Sequence, residues 1–201
     1  MPKTNHSQYT NGAKDYDEKE QDRNYFFEVE WLRDRINEVK KSKGNYLLDI
    51  GCGTGTHLKY LQDDYVCTGF DLHQEMIDVA KKKLKKNVTL FQANMVDFNL
   101  EKEFDVIISL YSVINYAKDF KELRKVLKNI YRHIKKGGVC IIEPYYTKQI
   151  FEHDRNKPYP KHLLVHEIWK WSKIMREVGF NVSYKYAGLN QKAKGAYVLT
   201  K

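Results

Sequence analysis

The sequence contains few cysteines and no long hydrophobic run. Its three cysteines, Cys52, Cys67 and Cys140, lie far apart and form no Cys-x-x-Cys pair, so neither a disulfide framework nor a zinc site is expected. No apolar stretch reaches the ~18 consecutive residues that span a bilayer. The polar start of the chain also lacks the apolar centre of a signal peptide. These absences predict a cytoplasmic protein with no metal centre and no membrane partner.

The length and composition fit one globular domain. The chain has 201 residues, of which 42% are hydrophobic and 30% are charged, and domains cluster at roughly 100–200 residues. Its 35 Lys and Arg residues against 26 Asp and Glu residues give a formal net charge of +9, which by itself would suit an anionic partner such as nucleic acid. The excess is mostly scattered lysine, and we expect its one dense run, 81–86, at the end of a helix away from the ligand edge of the sheet. The charge is therefore interpreted as a lysine-biased surface.

Short apolar runs alternate with amphipathic segments along the chain. Helices are predicted at 25–43, 57–61, 74–84, 120–134 and 165–178. Strands are predicted at 46–50, 65–70, 88–91, 104–110, 139–143, 180–187 and 196–200. Strands that alternate with helices in this way imply right-handed crossovers, and hence an α/β fold with a doubly wound, mostly parallel seven-stranded sheet.

The single domain, 1–201, is expected to comprise four consecutive segments. They are an N-terminal cap segment with its helix, a central core, an irregular connection and a C-terminal helix with a β-hairpin, at 1–43, 44–143, 144–162 and 163–201 respectively. Because the last two strands are joined only by a short polar link with glycine at each end, they should form an antiparallel hairpin.

A glycine-rich turn follows the first predicted strand. It reads Asp49-Ile50-Gly51-Cys52-Gly53-Thr54-Gly55-Thr56. Ligands of open α/β sheets bind at the carboxyl ends of the strands, and glycine in the first turn lets the backbone approach them closely. A dinucleotide fingerprint would have Gly or Ala at position 56, where this chain has Thr56. The spacing is instead Gly-x-Gly-x-Gly, preceded by an acidic residue, Asp49.

This turn closely resembles motif I of class I S-adenosylmethionine-dependent methyltransferases, which the stretch 47–58 matches at nearly every position. The likeness extends through Phe104–Ser109, similar to the fourth strand of these enzymes, to Lys136-Gly137-Gly138 before the next strand. The resemblance implies a Rossmann-like methyltransferase fold, S-adenosyl-L-methionine as cofactor and S-adenosyl-L-homocysteine as product.

The resemblance also assigns cofactor-binding residues. Asp71 stands where the family has the acidic residue that binds both ribose hydroxyls. The segment 72–76 matches the family pattern for an apolar contact to the adenine, and Asn94 with Met95 falls near the adenine amino group. The full set expected to bind the cofactor is Asp49, Gly51, Cys52, Gly53, Gly55, Thr56, His57, Asp71, Leu72, Met76, Asn94, Met95 and Leu110.

Several acceptor classes are disfavoured by the sequence after the fourth strand. It reads Ser109-Leu110-Tyr111-Ser112, which lacks the Asp/Asn-Pro-Pro-Tyr/Phe motif of enzymes that methylate exocyclic adenine nitrogens or glutamine amides. Carbon-5 methylation of cytosine needs a nucleophilic cysteine near this strand, and no cysteine lies there. No cluster of Asp and Asn like the metal site of catechol O-methyltransferases is present either.

Beyond the shared core, the sequence resembles bacterial aminosugar N,N-dimethyltransferases in the stretches 52–58, 109–116 and 137–146. It departs from them between Tyr146 and His166, where those enzymes insert an antiparallel β layer and this chain has a short connection. We therefore expect in-line methyl transfer to a nitrogen or oxygen of a small-molecule acceptor, by a monomer or homodimer. An RNA methyltransferase and a cofactor-binding homologue without catalysis are the alternatives.

An amine acceptor must be neutral when it attacks, so a base or a water relay should take its proton. His166, at the start of the late helix near the carboxyl ends of the strands, is the first candidate for that base. Tyr16 and Tyr111 are the candidate orienting groups. Methylation without a protein base is the other alternative.

Overall fold

A seven-stranded mixed sheet forms the centre of the molecule. The computed structural model describes residues 9–10, 12–155, 158–186, 189 and 195–201. The strands are β1 Tyr46–Ile50, β2 Val66–Asp71, β3 Thr89–Gln92, β4 Phe104–Ser109, β5 Ile134–Ile142, β6 Asn181–Lys185 and β7 Ala196–Thr200. Their order across the sheet is β3-β2-β1-β4-β5-β7-β6.

The first five strands are parallel, and the last two complete the sheet as an antiparallel hairpin. β1 pairs with both β2 and β4, so Asp49 stands opposite Gly69 on one side and Ile108 on the other. β7 runs antiparallel to β5 and to β6. The predicted doubly wound, mostly parallel sheet with a C-terminal hairpin is therefore confirmed. The strand order reverses between β1 and β4, and a ligand is expected at the carboxyl ends of strands beside such a point.

Helices cover both faces of the sheet. They are α1 Tyr16–Lys19, α2 Tyr25–Val39, α3 Thr56–Leu61, α4 Gln74–Lys83, α5 Phe120–His133, α6 Lys148–Arg155 and α7 Ile168–Val178, with a 3₁₀ turn at Val113–Tyr116. The apolar sides of α2, α3 and α4 pack on one face, and those of α5 and α7 pack on the other. Among the described residues, no helix is both long enough and apolar enough to cross a membrane.

The connection at 144–162 differs from the sequence prediction. It is expected to be irregular, but it contains α6. The physical reason is a small separate core in which Phe151 of this helix packs with Tyr159 and Leu163. The connection is therefore an ordered layer over the end of β5.

The start of β5 also differs from the prediction. The sequence predicts that the glycines after α5 separate the helix from the strand, whereas β5 begins at Ile134 and its register with β4 shifts before Val139. Gly137 has a φ of +76°, and its carbonyl accepts hydrogen bonds from the backbone N–H groups of Lys41 and Ser42. The glycine therefore lies in a bulge within β5 that binds the segment after α2, instead of separating α5 from the strand.

Candidate active site

The three glycines of the turn after β1 all adopt left-handed backbone conformations. Gly51, Gly53 and Gly55 have φ angles of +74°, +53° and +74°. A Cβ atom at Gly51 would lie 2.5 Å from the Val113 side chain, and one at Gly55 would lie 2.7 Å from Leu84. A Cβ atom at Gly53 would meet no atom of the described residues within 4 Å. Gly53 therefore leaves open space beside the backbone, which suits a ligand that approaches it closely.

Asp71 ends β2 next to this turn. Its Oδ2 accepts a hydrogen bond from Gly53 N and its Oδ1 accepts one from His73 N, each at 2.9 Å. Burial raises the pKa of this carboxyl, and the two backbone N–H groups oppose that rise. Each carboxylate oxygen can accept about two hydrogen bonds, so both oxygens keep capacity for a further donor. A pair of adjacent hydroxyls fits this arrangement.

Asp49 lies near the end of β1 and is only 3% exposed. The pKa of its carboxyl is raised to about 7, mainly because burial disfavours the charged form; His57 opposes this rise and the charge of Asp71 adds to it. A carboxylate at this depth is stabilised by a nearby positive charge. Asp49 is therefore placed to favour a cationic group at the turn.

The residues expected beside an adenine follow β2 and β3, which are neighbours in the sheet. Leu72 is 49% exposed, whereas Met76 is fully buried, so of these two only Leu72 offers apolar surface to a ligand. Asn94 is exposed, and its Oδ1 accepts a hydrogen bond from Val96 N at 3.0 Å. Met95 packs against the core. The structure thus brings Leu72 and Asn94 to the same edge of the sheet as the glycine turn.

Two other expected cofactor residues have little accessible surface. The side chains of Cys52 and Leu110 are buried, and burial raises the pKa of the Cys52 thiol, which stays protonated. The backbone N–H groups of Gly51 and Cys52 both donate to the Phe70 carbonyl at 2.9 Å. These residues therefore fix the turn against β2 through their backbone and packing.

A buried acidic residue that sequence reasoning missed, Glu28 of α2, joins three elements of the site. Its Oε2 accepts hydrogen bonds from His57 Nε2, at 3.0 Å, and from the Tyr111 hydroxyl. Burial raises the pKa of the Glu28 carboxyl, but these two hydrogen bonds outweigh it and hold the pKa below its usual value. The Arg23 guanidinium lies 4.0 Å from the centroid of the Tyr111 ring. An acidic residue at helical spacing from the apolar Leu32 is the sequence signal that could have identified Glu28.

Tyr111 and Ser112 form a strained turn after β4. Their φ angles are +50° and +68°, which are uncommon outside glycine and cost free energy. Tyr111 N donates to Glu143 Oε2 at 2.9 Å, and Ser112 N donates to the Glu143 carbonyl at 3.0 Å. Burial and the charge of Glu28 raise the pKa of the Tyr111 phenol well above its usual value. The hydroxyl therefore stays protonated, which is compatible with an orienting role.

Tyr16, the other expected orienting residue, lies half-buried in α1. Burial and Tyr9 raise the pKa of its phenol well above the usual value. Its ring centroid is 6.1 Å from that of Tyr9, and the Tyr9 hydroxyl lies 3.2 Å from the Tyr116 hydroxyl. Tyrosines from the N-terminal segment thus meet a tyrosine of the 3₁₀ turn after β4.

The structure places His166 in the interior, where it is 1% exposed. Its Nδ1 lies 3.0 Å from the Tyr145 carbonyl and its Nε2 lies 2.9 Å from the Tyr197 hydroxyl. Burial lowers its pKa to about 4, so the ring is neutral, donates from Nδ1 and accepts at Nε2. Both nitrogens are thus engaged within the protein. This corrects the expectation of a base at His166, which instead joins the end of β5 to β7.

The lysine run also needs a correction. Lys83 Nζ lies 2.9 Å from Thr56 Oγ1 and 2.5 Å from Asp17 Oδ2. Asp17 of α1 accepts further hydrogen bonds from Thr54 Oγ1 at 2.5 Å and from Thr56 Oγ1 at 3.2 Å. The expectation that the run 81–86 lies away from the ligand edge is therefore wrong for Lys83, because the last turn of α4 packs against the glycine turn.

Aromatic side chains dominate the connection after β5. Three tyrosines pack against the small core around α6, namely Tyr116, Tyr145 and Tyr146. The fully buried Asn115 holds this layer, because its Nδ2 donates to the Leu164 carbonyl at 2.9 Å and its Oδ1 accepts from Tyr145 N at 2.8 Å. Sequence reasoning also missed Asn115. The only sign of its role in the sequence is that a side-chain amide occurs within an apolar stretch.

Comparison with known proteins agrees with this geometry. Residues 47–138 match the family model described as a methyltransferase domain. A dTDP-3-amino-3,4,6-trideoxy-alpha-D-glucopyranose N,N-dimethyltransferase of Streptomyces venezuelae is 32% identical over 130 residues, which cover 64% of this chain and 54% of that protein. The chain spans about half the length of the curated relatives that it matches.

Two solved structures share nearly the whole fold. DesVI of Streptomyces venezuelae has a TM-score of 0.81 at 21% identity, covering 94% of this chain and 97% of that chain. CalS10, a SAM-bound amino pentose methyltransferase from Micromonospora echinaspora, has a TM-score of 0.77 at 19% identity, covering 90% of this chain and 92% of that chain. The chain is thus similar, in sequence over residues 47–138 and in overall fold, to class I S-adenosylmethionine-dependent methyltransferases.

The site fits S-adenosylmethionine, the cofactor of the enzymes that this chain resembles. Asp71 has two oriented oxygens for a ribose diol, and Gly53 leaves room beside the backbone. Asp49 supplies a buried carboxylate that suits a cationic ligand. Within the part of the chain that the structure describes, no group of three or more His, Cys, Asp and Glu side chains could hold a metal ion.

Asp49→Asn should stabilise the ligand-free protein at neutral and higher pH. The folded-state pKa of Asp49 is raised from 3.8 to about 7, so stability from this group is present below about pH 4 and is lost as the pH rises through about 7. The amide removes that loss. The melting temperature at pH 8 should rise by at least about 2–4 °C, the shift that 1 kcal/mol produces in a domain of this size, and the gain should vanish at pH 4. Equal melting temperatures at pH 8 would contradict this account.

His166→Gln should make stability less sensitive to acid. The pKa of His166 is lowered from 6.5 to about 4, so the unfolded chain binds a proton that the folded chain does not, and stability falls as the pH drops from 6.5 towards 4. The variant should be less stable than the wild type at pH 7 by about 1–3 kcal/mol, because buried hydrogen bonds are lost. Between pH 7 and pH 5, however, its free energy of unfolding should fall by less than that of the wild type. Urea titrations at both pH values measure this, with the exposed His153→Gln as control. A pH dependence identical to that of the wild type would refute it.

Proposed function

We propose that this chain transfers a methyl group from S-adenosylmethionine to a nitrogen or oxygen of a small molecule. The observation that carries the proposal is the pairing of Gly53 with Asp71, which sets an open stretch of backbone beside an oriented carboxylate at the switch point of the sheet. A nitrogen acceptor is favoured by two curated relatives. The Streptomyces venezuelae relative and a second one, from Saccharopolyspora spinosa, are both N,N-dimethyltransferases of amino sugars.

The cofactor would be held by residues from three strands. Asp71 would bind the ribose hydroxyls, Leu72 and Asn94 would lie beside the adenine, and the glycine turn would face the rest of the molecule. Asp49 would supply negative charge near its cationic end. When bound, the cofactor supplies a methyl group on a positively charged sulfur, which a lone pair of the acceptor displaces in line.

Tyr16 and Tyr111 would orient the acceptor and would not take its proton. The phenols of Tyr16 and Tyr111 stay protonated because their pKa values are raised. The Tyr111 proton is donated to Glu28, which fixes the orientation of the phenol at this end of the site. Since both nitrogens of His166 are engaged, an amine acceptor should bind in its neutral form and lose its surplus proton to water after transfer.

The observations favour a small acceptor over RNA. An RNA duplex is recognised through its phosphates by a basic surface, but Lys83, the lysine at the glycine turn, is paired with Asp17. The segments that remain for the acceptor are rich in tyrosine, with Tyr16 on the N-terminal side and Tyr116, Tyr145 and Tyr146 on the other. Aromatic rings suit a compact acceptor and a neighbouring cationic sulfur.

Asp71→Ala should weaken cofactor binding by about 1–3 kcal/mol, the scale of hydrogen bonds to a charged group. Isothermal titration calorimetry with S-adenosylmethionine measures this loss directly. The matched control is Asp78→Ala, which removes an exposed carboxylate from α4 and should leave the affinity unchanged. Unchanged affinity in Asp71→Ala would exclude the assigned ribose contact.

The acceptor class is tested with radiolabelled cofactor and a panel of amines, amino sugars, hydroxylated metabolites and total RNA. We expect label in a small molecule that carries an amine. Label in RNA would instead support the RNA alternative. Tight cofactor binding without transfer to any member of the panel would favour a non-catalytic homologue.

A further inference from the structure

A segment that we name the strap, residues 12–24, crosses the loops that follow two central strands. Asp17 in this segment contacts the turn after β1 through Thr54 and Thr56. Arg23, near its other end, stacks on Tyr111 after β4. Since these two loops lie at the switch point of the sheet, the strap spans the edge at which the ligand is expected.

The packing of the strap is weak apart from one polar cluster. None of the four residues of α1 is buried, so this helix gains little from apolar contact, and Ala13 is the buried apolar side chain of the strap. In contrast, the Asp17 carboxylate takes three hydrogen bonds, from the hydroxyls of Thr54 and Thr56 and from the Lys83 ammonium. Burial raises the pKa of Asp17, but these donors outweigh it and lower the pKa, which keeps the carboxylate charged.

We infer that Asp17 and Lys83 form a latch that holds the strap closed over the cofactor site and sets the rate at which the cofactor and its product exchange. The inference rests on the proposed function in taking the ligand beneath the strap to be S-adenosylmethionine. The latch joins α1 to α4 and to the glycine turn, and all three belong to this chain.

A latch of this kind has a distinct kinetic signature. If ligand enters and leaves only when the strap is open, the apparent association and dissociation rates are both scaled by the open fraction. A change that opens the strap should therefore raise both rates together and leave the dissociation constant nearly unchanged. A residue that contacts the ligand would instead change the dissociation constant.

Surface plasmon resonance with S-adenosylhomocysteine as analyte separates the two rates. Asp17→Asn and Lys83→Gln should each raise both rates by roughly fivefold or more, the scale of one partly exposed ion pair with its hydrogen bonds. The double variant should not exceed the single variants, because both substitutions open the same contact. The controls are Asp15→Asn and Lys81→Gln, which alter exposed residues of the same segments and should leave both rates unchanged.

Salt and charge reversal sharpen the test. The Asp17 side chain is 41% exposed and that of Lys83 is 22% exposed, so added salt should screen the pair and accelerate exchange in the wild type more than in Asp17→Asn. Combining Asp17→Lys with Lys83→Asp should return the rates towards wild type, relative to either reversal alone. Unchanged rates in both neutral variants would overturn the latch. So would a rise in dissociation alone with a matching loss of affinity, since that pattern would indicate direct support of the ligand.

Hydrogen exchange distinguishes failure of the latch from failure of the proposed function. If the wild type does not bind S-adenosylhomocysteine, the proposed function is wrong, but the latch is still measurable in the ligand-free chain. Amides of the strap should then exchange several-fold faster in Asp17→Asn than in Asp15→Asn, while those of β4 and β5 exchange at equal rates. Equal exchange of the strap in the two variants would overturn the latch.

Discussion

The turn between β1 and α3 is the constraint on which the rest of the site depends. A backbone that passes close to a ligand has no room for side chains. Gly51, Gly53 and Gly55 have none, and they adopt left-handed conformations that cost other residues free energy. Because glycines have no side chains with which to stabilise the turn, contacts from neighbouring elements stabilise it. Asp71 binds the Gly53 N–H group, and Asp17 binds the threonine hydroxyls that follow. Asp71 and the N-terminal strap thus both contact the same short turn, at Gly53 and at Thr54 respectively.

Negative charge is concentrated around this turn, and each carboxyl is balanced differently. Glu28 is charged despite its burial, because His57 and Tyr111 donate to it. Asp49 is raised to a pKa of about 7 by burial. A buried carboxylate with a raised pKa does not stabilise the fold at neutral pH, and such groups are common in ligand-binding sites. S-adenosylmethionine carries positive charge on its sulfur and its amino group. Its binding would therefore place a positive charge near the Asp49 carboxylate.

The parts of the site that sequence reasoning predicted are those encoded over short stretches. The glycine turn is read directly from its sequence, the role expected of Asp71 comes from the resemblance that this turn carries, and the mostly parallel sheet follows from the alternation of strands with helices. Asp17 could not be found in this way, and the helical spacing that places Glu28 on the apolar side of α2 does not reveal its partners. The partners of both residues are distant in sequence and depend on how the N-terminal helices pack. His166 shows a related limit. A histidine at the ligand edge can face the mouth or the core, and the Tyr197 hydroxyl on β7 determines which occurs.

The connection after β5, where we propose that the acceptor binds, is held by different interactions from the glycine turn, where we propose that the cofactor binds. Backbone hydrogen bonds and glycines fix the turn and Asp71, and few substitutions could preserve that geometry. The connection after β5 is held by one buried amide, Asn115, and by packed aromatic rings. Rings bind through area and orientation more than through a fixed set of donors, so the choice of acceptor can change while the cofactor side is retained. The match to the family model lies accordingly at residues 47–138, which include the glycine turn and Asp71 and end before the connection.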